Sequence, residues 1–387
     1  MTNFDLIPDR RKNIMFTKWT LYPKDVLALW VADMDFPSPK PILDSLRKMI
    51  DHGVLGYELP HTALKETVAA RMDRLYGWKV RPEAVVAVTG IVSGITVAAR
   101  AFGSRKRGVA IQTPVYNEFH EVKNNVGIPQ IDIPLIKHID GNILSYEIDW
   151  DVFEKQVKKA GIFLLCNPHN PLGIIFSKKE LTRMAQICIK HKVLMISDEI
   201  HSELLLDQNT FTPIAKISRE IEKHVITLIA PSKTFNVPGL FCGFAIIPNK
   251  DLRVRFEAEL TRMRLHVSSS GLHAANAAFS GRCDGWLREL NHYLTDNRDF
   301  LVGYVSEHMP DVRMTVPDAT YLAWLDFTQT EITGSPYEFF LKHAKVALSD
   351  GRIFGKQGEG HVRLNFGTSR AMLKQALDRM NKAIIQL

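Results

Sequence analysis

The sequence has few cysteines and no long apolar run. No run reaches the roughly 18 apolar residues of a transmembrane helix, so no membrane partner is expected. Its cysteines (Cys166, Cys188, Cys242 and Cys283) form no C-x-x-C pair and no zinc spacing, which predicts reduced, mostly buried thiols and no metal site. Residues 1–12 are polar and contain no signal-peptide core, so we expect a cytoplasmic protein.

The excess of positive charge is modest. The chain has 49 Lys and Arg against 42 Asp and Glu, and its basic runs (residues 10–12 and 105–107) are short and carry no interleaved aromatics. We interpret them as solvated surface and expect no nucleic-acid partner. The glycine-containing segment 351–358 lacks the spacing of a nucleotide-binding loop. A mildly positive field would suit a phosphorylated cofactor and a carboxylate substrate.

At 387 residues the chain is long for one domain. Short apolar runs alternate with amphipathic stretches, which predicts an α/β fold with a doubly wound, mostly parallel sheet. The predicted strands are residues 84–89, 108–112, 161–166, 193–197, 225–230 and 243–247. From about residue 279 onward the predicted helices and strands no longer alternate regularly, which is typical of an α+β domain. We therefore predict a large domain over 46–278 and a smaller one formed by 1–45 together with 279–387.

Three predicted strands end in an amide, a carboxylate or a lysine. Asn170, Asp198 and Lys233 each follow an apolar run, and ligands bind at the carboxyl ends of parallel strands. Pyridoxal 5′-phosphate (PLP) needs a lysine for its Schiff base and a carboxylate for its pyridine nitrogen. A turn, a helix cap or a surface lysine would explain each residue alone. Their order along the chain favours the cofactor site.

Three further positions fit the same site. Ile91 and Val92 begin a helix after Gly90, where free backbone N–H groups bind phosphate. Tyr116 follows the next strand and is placed to stack on the pyridine ring. Arg363 alternates with Val362 and Leu364, so it points away from their apolar face. Arg363 would either lie on a solvent-exposed edge of the sheet or form a bidentate pair with a substrate carboxylate.

These residues resemble the fold type I PLP enzymes of the class I/II aminotransferase family, over about residues 19–370. Within that family the chain looks most like the branch of cystathionine β-lyases and cysteine C–S lyases. The matching strings are residues 30–36 (WVADMDF), 18–19 (KW), 197–201 (SDEIH) and 232–236 (SKTFN). The NPxNPxG pattern of residues 167–173 is shared with aminotransferases and does not separate the branches.

The resemblance implies roles for particular residues. Those implied to be catalytic are Lys233, Tyr116 and Asp198. Those implied to bind the cofactor are Lys233, Ile91, Val92, Tyr116, Asn170, Asp198, His201, Ser232 and Tyr57. Those implied to bind substrate are Arg363, Ala32 and Asn170. Tyr57 would reach the phosphate of a neighbouring subunit, which implies a homodimer with shared active sites.

Three positions depart from the aminotransferase pattern. His201 replaces a tyrosine three residues after the ring-nitrogen carboxylate, as in the lyase branch. Phe241 replaces an arginine that contacts the phosphate, so backbone groups, Ser232 and Tyr57 would carry more of that binding. Ala319 replaces a glycine that the family often has, which changes the expected shape on the substrate side.

The predicted reaction is α,β-elimination on cystathionine or another S-substituted cysteine, giving thiol, pyruvate and ammonia. Lys233 would remove the Cα proton, and Tyr116 or Lys233 would protonate the leaving thiolate. An aminotransferase uses the same residues and differs in where the proton goes, so it is the first alternative. A PLP-binding protein with a regulatory, partner-binding role is the second.

Overall fold

The computed structural model describes residues 2–12 and 15–387; residues 1, 13 and 14, which fall within the predicted range 1–45, lie outside the described residues. Strands and helices alternate through the first two thirds. The strands are β1 (Leu27–Ala28), β2 (Val85–Val88), β3 (Val109–Thr113), β4 (Gln130–Pro134), β5 (Ile136–Asp140), β6 (Ile143–Glu147), β7 (Ile162–Cys166), β8 (Leu194–Asp198), β9 (Val225–Ile229), β10 (Gly243–Ile246), β11 (Arg313–Thr315), β12 (Leu322–Asp326), β13 (Val346–Ala347), β14 (Ser349–Asp350) and β15 (His361–Asn365).

The helices range from single turns to a 25-residue helix. They are α1 (Thr17–Thr20), α2 (Lys40–Asp51), α3 (Thr62–Tyr76), α4 (Ile91–Phe102), α5 (Asn117–Val126), α6 (Trp150–Val157), α7 (Lys178–Lys190), α8 (Arg219–Glu222), α9 (Pro231–Thr234), α10 (Lys250–Arg262), α11 (Ser269–Phe279), α12 (Asp284–His308), α13 (Pro336–Phe339) and α14 (Arg370–Ile385). A π-helical turn, Phe340–Ala344, continues α13.

The main sheet is the predicted parallel sheet. Within the described residues it has seven strands in the order β2-β10-β9-β8-β7-β3-β4, and only β10 runs antiparallel to its neighbours. Strands β3, β7 and β9 are buried along their whole length, as expected when helices cover both faces of a sheet. The α/β fold class is therefore confirmed, and the predicted bounds of the other strands agree to within about one residue, whereas β4 was not predicted.

Two apolar cores lie on opposite faces of this sheet. Phe119, Phe256 and Val97, from α5, α10 and α4, pack against one face. Phe163, Met195 and neighbouring residues on the other face join a larger core that extends to the second sheet. Because helices cover both faces, the carboxyl ends of the parallel strands form an open edge where ligands can bind.

A second sheet has six strands in the described part of the chain, in the order β14-β15-β12-β11-β6-β5. Its β5–β6 hairpin comes from the middle of the predicted large domain and pairs with β11, Ile143 opposite Met314. The sequence analysis assigned no strand there. The division into 46–278 and 1–45 with 279–387 remains a prediction, and this hairpin crosses it.

The N-terminal segment pairs with strands from the C-terminal part of the chain. Strand β1 pairs with β13 in a short parallel sheet, and Asn365 donates its backbone N–H to the carbonyl of Leu29. Residues 30–36, called the strap from here on, follow directly. The four cysteines are free and buried. Across the described ranges, no helix combines the length and apolar character needed to span a bilayer.

Candidate active site

A cavity of about 390 Å³ opens at the carboxyl ends of the parallel strands. Most of the predicted site residues lie on its walls. The lining residues are Ala32, Thr89, Gly90, Ile91, Val92, Ser93, Tyr116, Cys166, Asn170, Asp198, Ile200, His201, Ser232, Lys233, Pro238, Phe241 and Cys242. Residues from seven separate stretches of sequence thus meet in one place, as the strand-end argument predicted.

Lys233 lies on the short helix α9, just after β9. Its Nζ atom donates a hydrogen bond to the carbonyl oxygen of Ala32 at 2.7 Å. Burial, together with the positive charge of Arg363, lowers the pKa of Lys233 to about 8. A lysine with that pKa is partly neutral near physiological pH, and a neutral amine can act as a nucleophile or a base.

Asp198 is the last residue of β8 rather than the first residue after it. Its Oδ1 accepts the backbone N–H of Ile200 at 3.1 Å. Among the described residues, no basic side chain lies within 4.0 Å of this carboxylate, and burial raises its pKa to about 7. A cationic ligand group placed opposite Asp198 would lower that pKa again and restore the charge.

The first turn of α4 forms one end of the cavity. Ile91, Val92 and Ser93 line it, and Gly90 precedes the helix with a φ of 141° that an L side chain rarely adopts. Unpaired N–H groups at the start of a helix attract an anion. Ser232 lines the same cavity and offers a hydroxyl. This end therefore fits a phosphate group.

Arg363 is buried, so the solvated-edge alternative is wrong. Its Nη1 donates to Asn170 Oδ1 at 3.1 Å, and its Nη2 donates to Trp30 O at 2.9 Å and Ser349 Oγ at 3.0 Å. The guanidinium also lies over the ring of Phe354 at 5.0 Å. Its buried Nε has no hydrogen-bond partner within the described residues, so a donor is left for a carboxylate.

The strap links the two cationic residues of the site through its backbone. Trp30 O accepts from Arg363, whereas Ala32 O accepts from both Lys233 and the Tyr321 hydroxyl, at 2.7 and 2.8 Å. Asn236, three residues after Lys233, donates to the carbonyls of Met34 and Phe36 at 2.9 and 2.7 Å. The strap therefore fixes the positions of the Lys233 and Arg363 side chains relative to each other.

Tyr116 and His201 complete the predicted set on the cavity wall. Tyr116 donates its backbone N–H to Asn170 O at 3.0 Å, and burial raises its pKa to about 12. The His201 ring contacts the edge of Tyr321, with centroids 6.0 Å apart, and burial lowers its pKa well below the usual range. His201 is therefore neutral at physiological pH.

Tyr57 is the one predicted cofactor residue that does not lie at this cavity. Its side chain is fully exposed beside Leu55, in a separate, wider groove of about 760 Å³. That groove also contains His273 and Ser269. A role in a neighbouring subunit's site remains a prediction, and this chain's own cavity is formed without Tyr57.

Some contributors were missed by the sequence analysis. Ser349 and Tyr321 reach the site through hydrogen bonds, and Ile200 and Cys166 line the cavity. Ile200 lies within the SDEIH string, so the motif itself pointed to it. Ser349 and Tyr321 had no local signal, because their importance comes from backbone carbonyls that lie far away in sequence.

The cavity fits PLP at each of its three polar groups. One wall carries a buried carboxylate that has no basic side chain within 4.0 Å among the described residues, another wall carries a lysine of lowered pKa, and the end is formed by a helix N-terminus with a serine hydroxyl. This set defines the class of protein: a fold type I enzyme built to hold a phosphorylated pyridine cofactor. Residues 24–380 match the family model for aminotransferase class I and II, and the chain belongs to that family.

The chain is also similar to one curated protein and to two solved structures in particular. The chain is 37% identical to cystathionine β-lyase PatB of Bacillus subtilis, with 93% of each chain covered. It resembles the structure of cystalysin from Treponema denticola, which contains PLP, with a TM-score of 0.94, 30% identity, and 100% and 99% of the two chains covered. The PLP-bound C–S lyase from Staphylococcus hominis aligns with a TM-score of 0.92 at 30% identity, covering 100% and 98%.

Proposed function

We propose that this chain is a PLP-dependent carbon–sulfur β-lyase that acts on cystathionine or another S-substituted cysteine. The observation that carries the proposal is that Lys233 and Asp198 line one cavity together with Asn170, whose Oδ1 accepts a hydrogen bond from the buried Arg363. The likeness to PatB, cystalysin and a C–S lyase supports the choice of reaction.

The cofactor would be held at four places. Lys233 would carry it covalently, and Asp198 would pair with its pyridine nitrogen. Backbone N–H groups at the start of α4, with the Ser232 hydroxyl, would bind the phosphate. Asn170, Tyr116 and His201 would surround the ring. When bound, PLP supplies an electron-withdrawing ring that stabilises negative charge at the Cα atom of an amino acid.

Lys233 is the proposed proton acceptor at Cα. Its lowered pKa favours the neutral amine, and the Ala32 carbonyl accepts one of its N–H groups, which holds the nitrogen at the cavity wall. Arg363 would bind the substrate carboxylate, since its Nε is unpaired among the described residues and Asn170 orients its Nη1. Tyr116, protonated at neutral pH, could donate a proton to the departing thiolate.

An aminotransferase is the second candidate, and the match to the aminotransferase family model supports it. The same residues would hold the same cofactor. The two reactions differ in the destination of one proton, which Lys233 controls in either case.

The decisive assay uses purified protein with added PLP and no keto acid. It measures thiol, pyruvate and ammonia released from cystathionine and from a panel of S-substituted cysteines. We expect stoichiometric release of all three from at least one of them. Amino transfer to an added keto acid, without thiol release, would instead favour the aminotransferase.

Lys233→Ala is the matched control. It should lose the visible absorbance of bound cofactor and the thiol release together. If a regulatory activity of the protein is found and survives Lys233→Ala, the partner-binding alternative gains support and that activity is separate from the chemistry.

The proposal also includes a cytoplasmic homodimer with shared active sites. Four free, buried thiols suit a reducing compartment. The exposed apolar residues Val54, Leu55 and Leu59 beside Tyr57 suit an intersubunit surface. Sedimentation analysis of the PLP-loaded protein tests the dimer directly.

A further inference from the structure

A fully buried arginine lies behind the active site and belongs to no part of the proposed chemistry. Arg71, on α3, donates from Nε to Glu203 Oε1 at 2.8 Å, and its Nη2 donates to the second oxygen of that carboxylate. Its Nη1 donates to Asp284 Oδ1 at 3.0 Å, at the start of α12. Among the side chains of the described residues it is one of the largest that are fully buried.

The chemistry of this group makes its geometry rigid. A bidentate guanidinium–carboxylate pair is directional, and both groups have left water. Loss of Arg71 would leave the buried carboxylate of Glu203 without its compensating charge. The two carboxylates raise the pKa of Arg71 above its usual value, so it keeps its charge. Glu203 therefore cannot move without breaking the pair.

Glu203 belongs to the segment that leaves Asp198. Glu203 is the fifth residue after Asp198, and His201 lies between them. The same segment is held at two further points, where Tyr76 donates its hydroxyl to Ser202 O and Asn291 donates to Glu203 O. Arg71 thus anchors the chain just beyond the carboxylate that lines the cavity.

Arg71 also touches the element that carries Lys233. Its guanidinium carbon lies 5.4 Å from the ring centre of Phe235, two residues after Lys233, and 5.3 Å from the ring of Phe279 at the end of α11. Phe235 is fully buried and closes the turn of α9, where its N–H donates to Pro231 O. A cation over a buried aromatic ring is favourable and limits the movement of that ring.

We propose that Arg71 is a positioning residue that sets the distance between Asp198 and Lys233, the two groups that would grip the cofactor from opposite sides. One rigid guanidinium holds the segment after Asp198 through Glu203 and the turn after Lys233 through Phe235. This inference rests on the proposed function, because it assumes that the cavity between the two residues binds PLP.

The test compares PLP binding by cofactor-free wild type and variants. The two phenylalanines provide a matched pair, since Phe235→Leu and Phe279→Leu make the same change on the two rings nearest Arg71, and only Phe235 lies on the Lys233 element. Arg71→Lys keeps the charge but loses the bidentate geometry. The dissociation constant for PLP, the pH dependence of the bound cofactor's visible absorbance and the urea midpoint of the cofactor-free protein are measured for each.

We expect Arg71→Lys and Phe235→Leu to raise the PLP dissociation constant about tenfold and to shift the pH dependence of the absorbance. Phe279→Leu should lower the urea midpoint as Phe235→Leu does, while its PLP dissociation constant stays within about twofold of wild type. If Arg71→Lys fails to fold, the comparison of Phe235→Leu with Phe279→Leu still tests the inference. Equal PLP binding by Phe235→Leu and Phe279→Leu overturns the inference, whereas a wild type that binds no PLP overturns the proposed function instead.

Discussion

At the scale of single residues, burial moves two ionisable groups of the cavity toward neutrality. The pKa of Lys233 falls to about 8 and that of Asp198 rises to about 7, chiefly because both side chains have lost water. Near neutral pH a fraction of each group is therefore neutral, and an oppositely charged partner would favour the charged form. The site is thus prepared for a ligand that brings a cation to Asp198.

Asp198→Asn should change how the stability of the cofactor-free protein depends on pH. A carboxyl group whose pKa in the folded protein exceeds its unfolded value stabilises the fold fully below the unfolded pKa, near 4, and loses that contribution as pH rises through about 7. Asparagine does not titrate. Between pH 5 and pH 8 the variant should therefore gain roughly 2–3 kcal/mol relative to wild type.

Urea unfolding at several pH values measures this difference, with Asp311→Asn as the control at an exposed carboxylate. If the free energies of unfolding of wild type and Asp198→Asn differ by the same amount from pH 5 to pH 8, Asp198 keeps its charge in the cofactor-free protein. The argument from burial is then wrong.

Ser349→Ala should weaken substrate binding and leave cofactor binding unchanged. Ser349 Oγ accepts from Arg363 Nη2 and donates to Trp30 O at 2.7 Å, so it fixes the guanidinium against the strap. Loss of one charge-assisted hydrogen bond should raise KM about tenfold, with kcat within about threefold.

The control for this variant is Ser145→Ala, an exposed position on β6 of the same sheet. Steady-state kinetics and a PLP titration are compared for both proteins. An unchanged KM, or a parallel loss of PLP affinity, would contradict the role assigned to Ser349.

The sequence predicted the residues whose side chains carry an unusual chemistry at a strand end, such as Asn170 and Lys233. It did not predict the backbone carbonyls that accept hydrogen bonds from Lys233 and Arg363. Ala32 and Trp30 act through carbonyl oxygens, which every residue has, so the WVADMDF string gave no hint of which atoms matter. Arg71 was missed for a related reason: its partner Glu203 lies 132 residues away, and pairing over that distance depends on the fold.

At the scale of elements, the turn between β7 and α7 shows how tightly the site is packed. Gly173 ends the NPHNPLG stretch with a φ of 72°, and its carbonyl accepts the N–H groups of Asp318 and Ala319. A Cβ atom at Gly173 would lie 2.7 Å from Pro317 Cβ. Glycine is therefore required for both its conformation and its size.

Gly173→Ala should destabilise the protein by about 2–4 kcal/mol, from a positive φ and an overlap with Pro317. It should also raise KM, because Asn170 in the same turn orients Arg363. Gly141→Ala is the matched control, since Gly141 has a φ of 56° but no atom within 4 Å of the added Cβ. Equal urea midpoints for the two variants would show that the contact with Pro317 adds nothing.

Element bounds were predictable where a local pattern existed. Buried apolar runs located β2, β3, β7, β8, β9 and β10 of the main sheet, whereas β4, which is only partly buried, was not predicted. The β5–β6 hairpin was not found, because β5 is exposed along its whole length and has no buried alternation. Its pairing with β11 joins segments about 170 residues apart, which no local pattern can encode.

At the scale of the whole molecule, the exposed segment around Tyr57 is the feature that a single chain leaves unexplained. Val54, Leu55, Tyr57 and Leu59 all expose large side chains to solvent within six residues. An apolar surface of this kind usually meets another protein surface. The Ser269 hydroxyl donates to Gly56 O at 3.0 Å and so joins this segment to the start of α11.

Mixed dimers can test whether Tyr57 acts on the partner's site. Chains carrying Lys233→Ala lack the cofactor lysine, and chains carrying Tyr57→Ala are expected to lose PLP affinity. If the tyrosine serves the neighbouring subunit, a dimer with one chain of each kind has one complete site: the lysine of one chain and the tyrosine of the other. Random reassociation of equal amounts should then restore about a quarter of wild-type activity.

Each variant assayed alone is the control and should stay inactive at limiting PLP. If Tyr57 serves its own chain, every site in a mixed dimer lacks one residue, and unfolding and refolding the mixture restores no activity. Recovery in the mixture would assign Tyr57 to the neighbouring subunit's site, because only exchange of subunits brings the intact lysine and the intact tyrosine together.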